Sequence, residues 1–120
     1  MDLVTRLDLT IPLIQAPMAG VSTPALAAAV SEAGGLGSIA LGASDVGGAR
    51  AMIADLRART DRAFNVNLFV HPAPRRDPQK EAAWLDRLRP LYAEFGAEPP
   101  ASLRPAYLSF NDDPAMQALA

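Results

Sequence analysis

A chain of 120 residues with a formal net charge of -2 and 50% hydrophobic residues can form one ordinary globular domain with a small core. The near-neutral balance gives no basic field for nucleic acid and no polybasic patch for a membrane surface. The absence of cysteine excludes a disulfide framework, a thiolate nucleophile and a Cys-ligated metal. The opening "MDLVTRLDLT" is charged throughout and lacks the apolar core of a signal peptide. No apolar run approaches the roughly 20 residues of a membrane span, so the expectation is a cytoplasmic protein.

The first apolar run, "IPLIQA" (residues 11–16), is too short for a helix and reads as a strand buried on both faces. After the loop "PMAGVS", Thr23 can cap a helix over residues 24–33, with Pro24 at the first helical position. Leu26, Val30 and Ala33 share one face of that helix and are its expected inner side. Four glycines crowd the next stretch, "AGGLGSIALG" (residues 33–42). A phosphate cradle needs strand, glycine turn and then helix, whereas here the order is helix, glycines, strand. Gly34 and Gly35 therefore read as a helix C-cap, and Gly37 as a point of close packing within a second strand, residues 36–41.

The pattern then repeats. Ser44 can cap a helix over residues 45–59, with Met52, Ile53 and Leu56 inward. Phe64, Val66, Leu68 and Val70 alternate through a third strand, residues 64–70, leaving Asn65 and Asn67 on its other face. Asp77 and Pro78 open a helix to about residue 95, with Gly96 as its stop and Trp84, Leu85, Leu88, Leu91, Tyr92 and Phe95 as its apolar stripe. Pro90 should kink that helix or split it in two. A proline-rich connector over residues 97–107 leads to a last helix capped by Asp113, and the sequence stops in mid-element. Strands alternating with helices imply right-handed crossovers and a parallel sheet, so the fold class is α/β. The residues alone leave two architectures open: the start of a (β/α)8 barrel, or a small doubly wound sheet.

Few side chains point to chemistry. His71, just past the third strand, has no second His or Cys to complete a ligand set. Arg75 and Arg76 could meet an anion or simply be solvated, and Asp112–Asp113 could be a carboxylate pair or, at Asp113, a helix cap. Asn67 is a more pointed candidate, since asparagine is unfavourable in a strand and a buried amide needs partners. Its alternatives stay open: an exposed face, a structural hydrogen bond, or a ligand contact. The segment "APMAG" is the second candidate, because Ala16, Ala19 and Gly20 lack bulk and would let a flat ligand approach the backbone.

Together, "IPLIQAPMAGVSTPALAAAVSEAGGLGSIALG" and "FNVNLFV" resemble the N-terminal part of the nitronate monooxygenases, formerly 2-nitropropane dioxygenases; the likeness runs over residues 11–120 and is densest over residues 11–42. The resemblance implies the first three β/α units of an FMN-binding (β/α)8 barrel, residues 10–70, followed by a helical insertion over residues 77–120 that is truncated before closure. Family members oxidise alkyl nitronates with O2 to carbonyl compounds and nitrite. The family's flavin contacts fall on Ala16, Pro17, Met18 and Asn67; its catalytic histidine lies beyond residue 120, and His71 does not match it. The same likeness implies that the chain alone is inactive, with an open sheet edge through which copies could associate. A related flavin barrel, the enoyl-ACP reductase, shares the AGGLG signature but has Gly-Gly-Met where this chain has Ala16-Pro17-Met18. A non-enzymatic α/β fragment that pairs with another chain is the remaining alternative.

Overall fold

The computed structural model describes residues 2–119. They fall into two compact units, one running to His71 and resuming at Tyr107, the other comprising Pro72–Ala106. In the first unit a short helix α1 (Leu3–Arg6) precedes α2 (Pro24–Glu32), β1 (Gly37–Ala40), α3 (Val46–Arg59) and β2 (Phe64–Asn67). A 3-10 turn (Phe110–Asp112) and a short helix, α5 (Pro114–Gln117), complete it, while α4 (Pro78–Glu94) belongs to the second unit.

β1 and β2 pair in parallel, from Gly37 opposite Phe64 to Ala40 opposite Asn67. A helical crossover joins them, as parallel neighbours require. Both strands are shorter than the expected 36–41 and 64–70. The expected first strand, residues 11–16, is reduced to one parallel bridge, Ile14 with Leu36. Two ladder bonds flank it, Leu36 N–H to the Leu13 carbonyl at 2.8 Å and Gln15 N–H to the Leu36 carbonyl at 3.0 Å. Pro12 and Pro17 have no N–H to extend that ladder. Beyond Gln15 a side chain replaces it: Gln15 Oε1 accepts the Ser38 N–H at 3.2 Å, and Gln15 Nε2 donates to the Ser38 carbonyl at 3.1 Å.

The helix α2 begins as its sequence suggests, with the Thr23 hydroxyl accepting the Leu26 N–H at 3.1 Å and Pro24 at the helix start. It ends in a Schellman turn: Gly34, at φ +95°, donates to Ser31 and Gly35 donates to Val30. The inner face, however, is Ala27, Ala28 and Ser31, not Leu26, Val30 and Ala33. Close approach explains the change. A Cβ on Gly37 would lie 1.9 Å from the Ala27 carbonyl oxygen, so helix and strand meet where both residues are small and the bulky side chains turn outward. Ser31, fully buried, also inserts into the foot of the sheet, accepting the Gly37 N–H at 3.1 Å and donating to the Ala63 carbonyl at 2.9 Å. Ile39, Leu41, Ala49 and Leu56 fill the core over this contact, and Met116 of α5 closes it.

The cap of α3 is Asp45 rather than Ser44: its carboxylate accepts the Gly48 N–H at 2.7 Å. The stronger acceptor sits one residue later than expected, and it favours the positive end of the helix dipole. Asp45→Ala should cost about 1 kcal/mol in a urea unfolding experiment; an unchanged midpoint would return the cap to Ser44.

In the second unit, Asp77 caps α4 by accepting the Lys80 N–H at 3.1 Å, and Gly96 (φ +64°) ends it in another Schellman turn. Pro90 does not split the helix, which runs unbroken from Pro78 to Glu94. Asp86 and Pro90 are both exposed, so water can take the carbonyl that proline leaves without a donor. Residues after Tyr107 return to the first unit, where Asp113 caps α5 by accepting the Met116 N–H at 3.0 Å.

Candidate functional site

The segment that follows the Ile14 bridge leaves the sheet toward the C-terminal end of the strands, and its backbone is held from outside itself. Ser22, almost fully buried, donates to the Ala16 carbonyl at 3.0 Å and accepts the Met18 N–H at 2.8 Å. Its second lone pair takes Gln15 Nε2 at 2.9 Å, which uses the full capacity of the hydroxyl. The Met18 carbonyl in turn accepts from Val21 and Ser22, closing a turn in which Gly20 adopts φ +76°. Ala16 and Met18 are exposed and Pro17 is half-buried. A Cβ on Gly20 would meet nothing within 4 Å. Small residues thus form a fixed, open ledge of backbone.

Alternation decides which strand side chains share that side. Gly37 faces α2, and Ile39, Phe64 and Val66 pack into the helix-side core. Ser38, Ala40, Asn65 and Asn67 therefore lie on the opposite face. Ser38 Oγ accepts from Asn65 Nδ2 at 3.3 Å, so a polar line runs Ser22–Gln15–Ser38–Asn65 across three segments of chain. Asn67 ends that row at the last residue of β2, half-buried, its carbonyl accepting the Leu41 N–H at 2.9 Å. Of the expected residues, Ala16, Pro17 and Met18 form the ledge, and Asn67 stands at the strand end toward which that segment runs. Gln15, Ser22 and Ser38 were not expected. The one legible sign was a lone glutamine in an otherwise apolar run.

Three of the remaining candidates make contacts of their own. The His71 ring lies 6.5 Å from that of Phe69, tilted by 44°, and among the described residues no group of His, Cys, Asp or Glu could hold a metal ion. Arg76 is engaged by Glu81 through two bonds of 2.7 and 2.6 Å, which hold the Glu81 carboxyl below its ordinary range and raise the guanidinium. Asp113 is a cap. A cleft of about 310 Å³ opens elsewhere, on the helix side, between Leu41, Ile53, Phe64, Phe110 and Met116, with Arg57 at its lining. No helix among the described residues is long and apolar enough to cross a membrane.

A parallel pair of strands joined by a helical crossover, with a loop and the Asn67 side chain at the strands' C-terminal ends, matches the arrangement of α/β proteins that bind ligands at that edge. Residues 2–98 match the nitronate monooxygenase family, and the chain belongs to it. It is 60% identical over 116 residues to the nitronate monooxygenase of Pseudomonas aeruginosa, covering 96% of this chain and 33% of that protein. The nitronate monooxygenase of Paraburkholderia phytofirmans is 52% identical, with 98% and 32% covered. Among solved structures, the nitroalkane oxidase of Streptomyces ansochromogenes superposes with a TM-score of 0.65 at 40% identity, over 81% of this chain and 27% of that one. FabK of Thermotoga maritima gives 0.54 at 37% identity, over 78% and 27%. The chain spans about a third of the length of these two nitronate monooxygenases.

Proposed function

We propose that this chain supplies the opening β/α units of a flavin-dependent barrel that oxidises alkyl nitronates with O2 to carbonyl compounds and nitrite. The observation that carries the reading is the ledge itself: Ser22 and Gln15 pin the Ala16–Met18 backbone at the C-terminal end of the strands, where open α/β sheets and barrels place their ligands. The residues fit a planar cofactor. Ala16 and Ala19 offer no bulk, Gly20 has open space where a side chain would be, and Asn67 brings an amide able both to donate and to accept. Met18 N–H is already satisfied by Ser22, so this segment would meet a flavin by packing and through the remaining backbone groups. Bound there, FMN would supply the electron transfer between nitronate and oxygen; the chain's part is to orient the ring and hold it.

The catalytic histidine of the family has no counterpart among these residues, so proton transfer belongs to parts of the barrel outside this sequence. With the Asn67→Ala change carried in a full-length family member, FMN affinity should fall roughly tenfold, as expected for one or two lost hydrogen bonds of about 1 kcal/mol each. A flavin titration reads this directly, and unchanged binding would remove Asn67 from the site. The likeness to FabK favours a second reading, a flavin-dependent enoyl reductase, but its lower TM-score and the Ala16-Pro17-Met18 sequence weigh against it. Oxygen uptake with a nitronate, set against reduction of an enoyl thioester, separates the two in the same full-length protein.

A further inference from the structure

α4 carries an apolar seam whose residues are none of those assigned to the candidate site. Trp84 is 52% exposed, Leu91 52% and Phe95 85%, with half-buried Leu88 between them. Their spacings of four, three and four residues are those of alternating d and a positions in a heptad, the pattern that keeps one stripe facing a partner helix. Leu85, the buried residue of α4, lies beside this stripe and not in it. Single exposed apolar residues are ordinary, but four in register along one helix make a continuous patch. Pro90 falls at a c position, away from the seam, so it does not obstruct a partner.

We infer that this seam binds the same seam of a second copy of the chain, with the two helices antiparallel. The charges beside it carry the choice of occupant. Arg76, Lys80 and Arg89 are each paired within their own unit, to Glu81, Asp77, and Asp86 and Glu98. Arg87 and Glu94 are in no ion pair among the described residues, and both flank the seam at g positions. Arg87 instead lies over the Trp84 ring, 5.9 Å from its centre. In an antiparallel pair Trp84 faces the partner's Phe95 and Leu88 faces the partner's Leu91. Arg87 then stands beside the partner's Glu94, and by symmetry Glu94 stands beside the partner's Arg87. A parallel pair would set Arg87 against Tyr92 and gain no ion pair. The seam is two heptads long, so the dimer is weak and depends on concentration.

Sedimentation equilibrium on the whole chain tests this. Glu94→Arg or Arg87→Glu alone turns both cross-pairs repulsive and should raise the dissociation constant roughly tenfold. The double exchange R87E/E94R restores the pairs and should return the constant to near its starting value. Phe95→Asp should leave a monomer with unchanged circular dichroism, because that side chain is exposed. A chain that is monomeric at every concentration would overturn the proposal. So would a dimer indifferent to all four variants, which would place association elsewhere, as at the free edge of β2.

Discussion

Replacing Gly37 with alanine should leave almost no folded protein. The added methyl carbon would lie 1.9 Å from the Ala27 carbonyl oxygen, 2.6 Å from its carbonyl carbon and 2.8 Å from its Cα, all backbone atoms of α2. No rotamer change relieves a clash with backbone, so α2 must lift from the sheet. That opens the core at Ala27 and Ile39 and pulls Ser31 from its bridge between Gly37 and Ala63. Overpacking usually costs about 1–3 kcal/mol, and the lost buried hydrogen bonds add about 1–3 kcal/mol each. Against a domain stability of about 5–15 kcal/mol, a sum of roughly 3–9 kcal/mol removes most of it. The same substitution at Gly47 should act in the opposite direction. A Cβ there makes only an ordinary contact with Asp45 at 3.5 Å, and alanine should add about 0.5–1 kcal/mol to α3. Urea unfolding of both variants reads the contrast, and a Gly37→Ala protein that melts like its parent would contradict the helix–strand contact described.

Gln15→Leu should be nearly as damaging, although Gln15 belongs to no regular element. Ser38 is fully buried, and its N–H and carbonyl on this side are satisfied only by the Gln15 amide. Leucine has similar volume and no polar atoms, so two buried backbone groups lose their partners, at about 1–3 kcal/mol each. Ser22 loses one of its three bonds as well. The expected loss is roughly 2–5 kcal/mol, together with faster hydrogen exchange at the Ser38 amide. Gln15→Glu should show an intermediate loss, since a carboxylate can still accept from Ser38 N–H but cannot donate to its carbonyl. Exchange at Ser38 as slow in Gln15→Leu as in the parent would show that another group takes over.

Much of this architecture is legible in the residues because it follows local rules. Thr23, Asp77 and Asp113 cap where a short polar side chain precedes proline at a helix start, and Gly34 and Gly96 end helices where φ must turn positive. Two of the three expected strands form, as does their parallel sense. The misses are tertiary in origin. Periodicity placed Leu26 and Val30 inward because it weighs hydrophobicity, whereas the sheet selects the small face of α2 through Gly37. The first strand shrinks to one parallel bridge because Pro12 and Pro17 cannot donate and the Gln15 side chain takes the next ladder positions, which no propensity describes. For the candidate site, family resemblance marked Ala16, Pro17, Met18 and Asn67, whereas Gln15 and Ser22, which hold the Ala16–Met18 backbone, were signalled only by a lone glutamine in an apolar run, because hydrogen bonds from side chain to backbone leave no periodic pattern.

The way Ser22 and Gln15 hold the Ala16–Met18 loop separates two tasks that most loops must combine. A loop that shapes itself through its own side chains cannot change what it recognises without changing its conformation. Here the geometry is imposed by residues at either end of the loop, and Ala19, between them, has no part in any of the hydrogen bonds that fix it. At the proposed site, a substitution at Ala19 would therefore change the surface offered to a ligand while the backbone path stays constant.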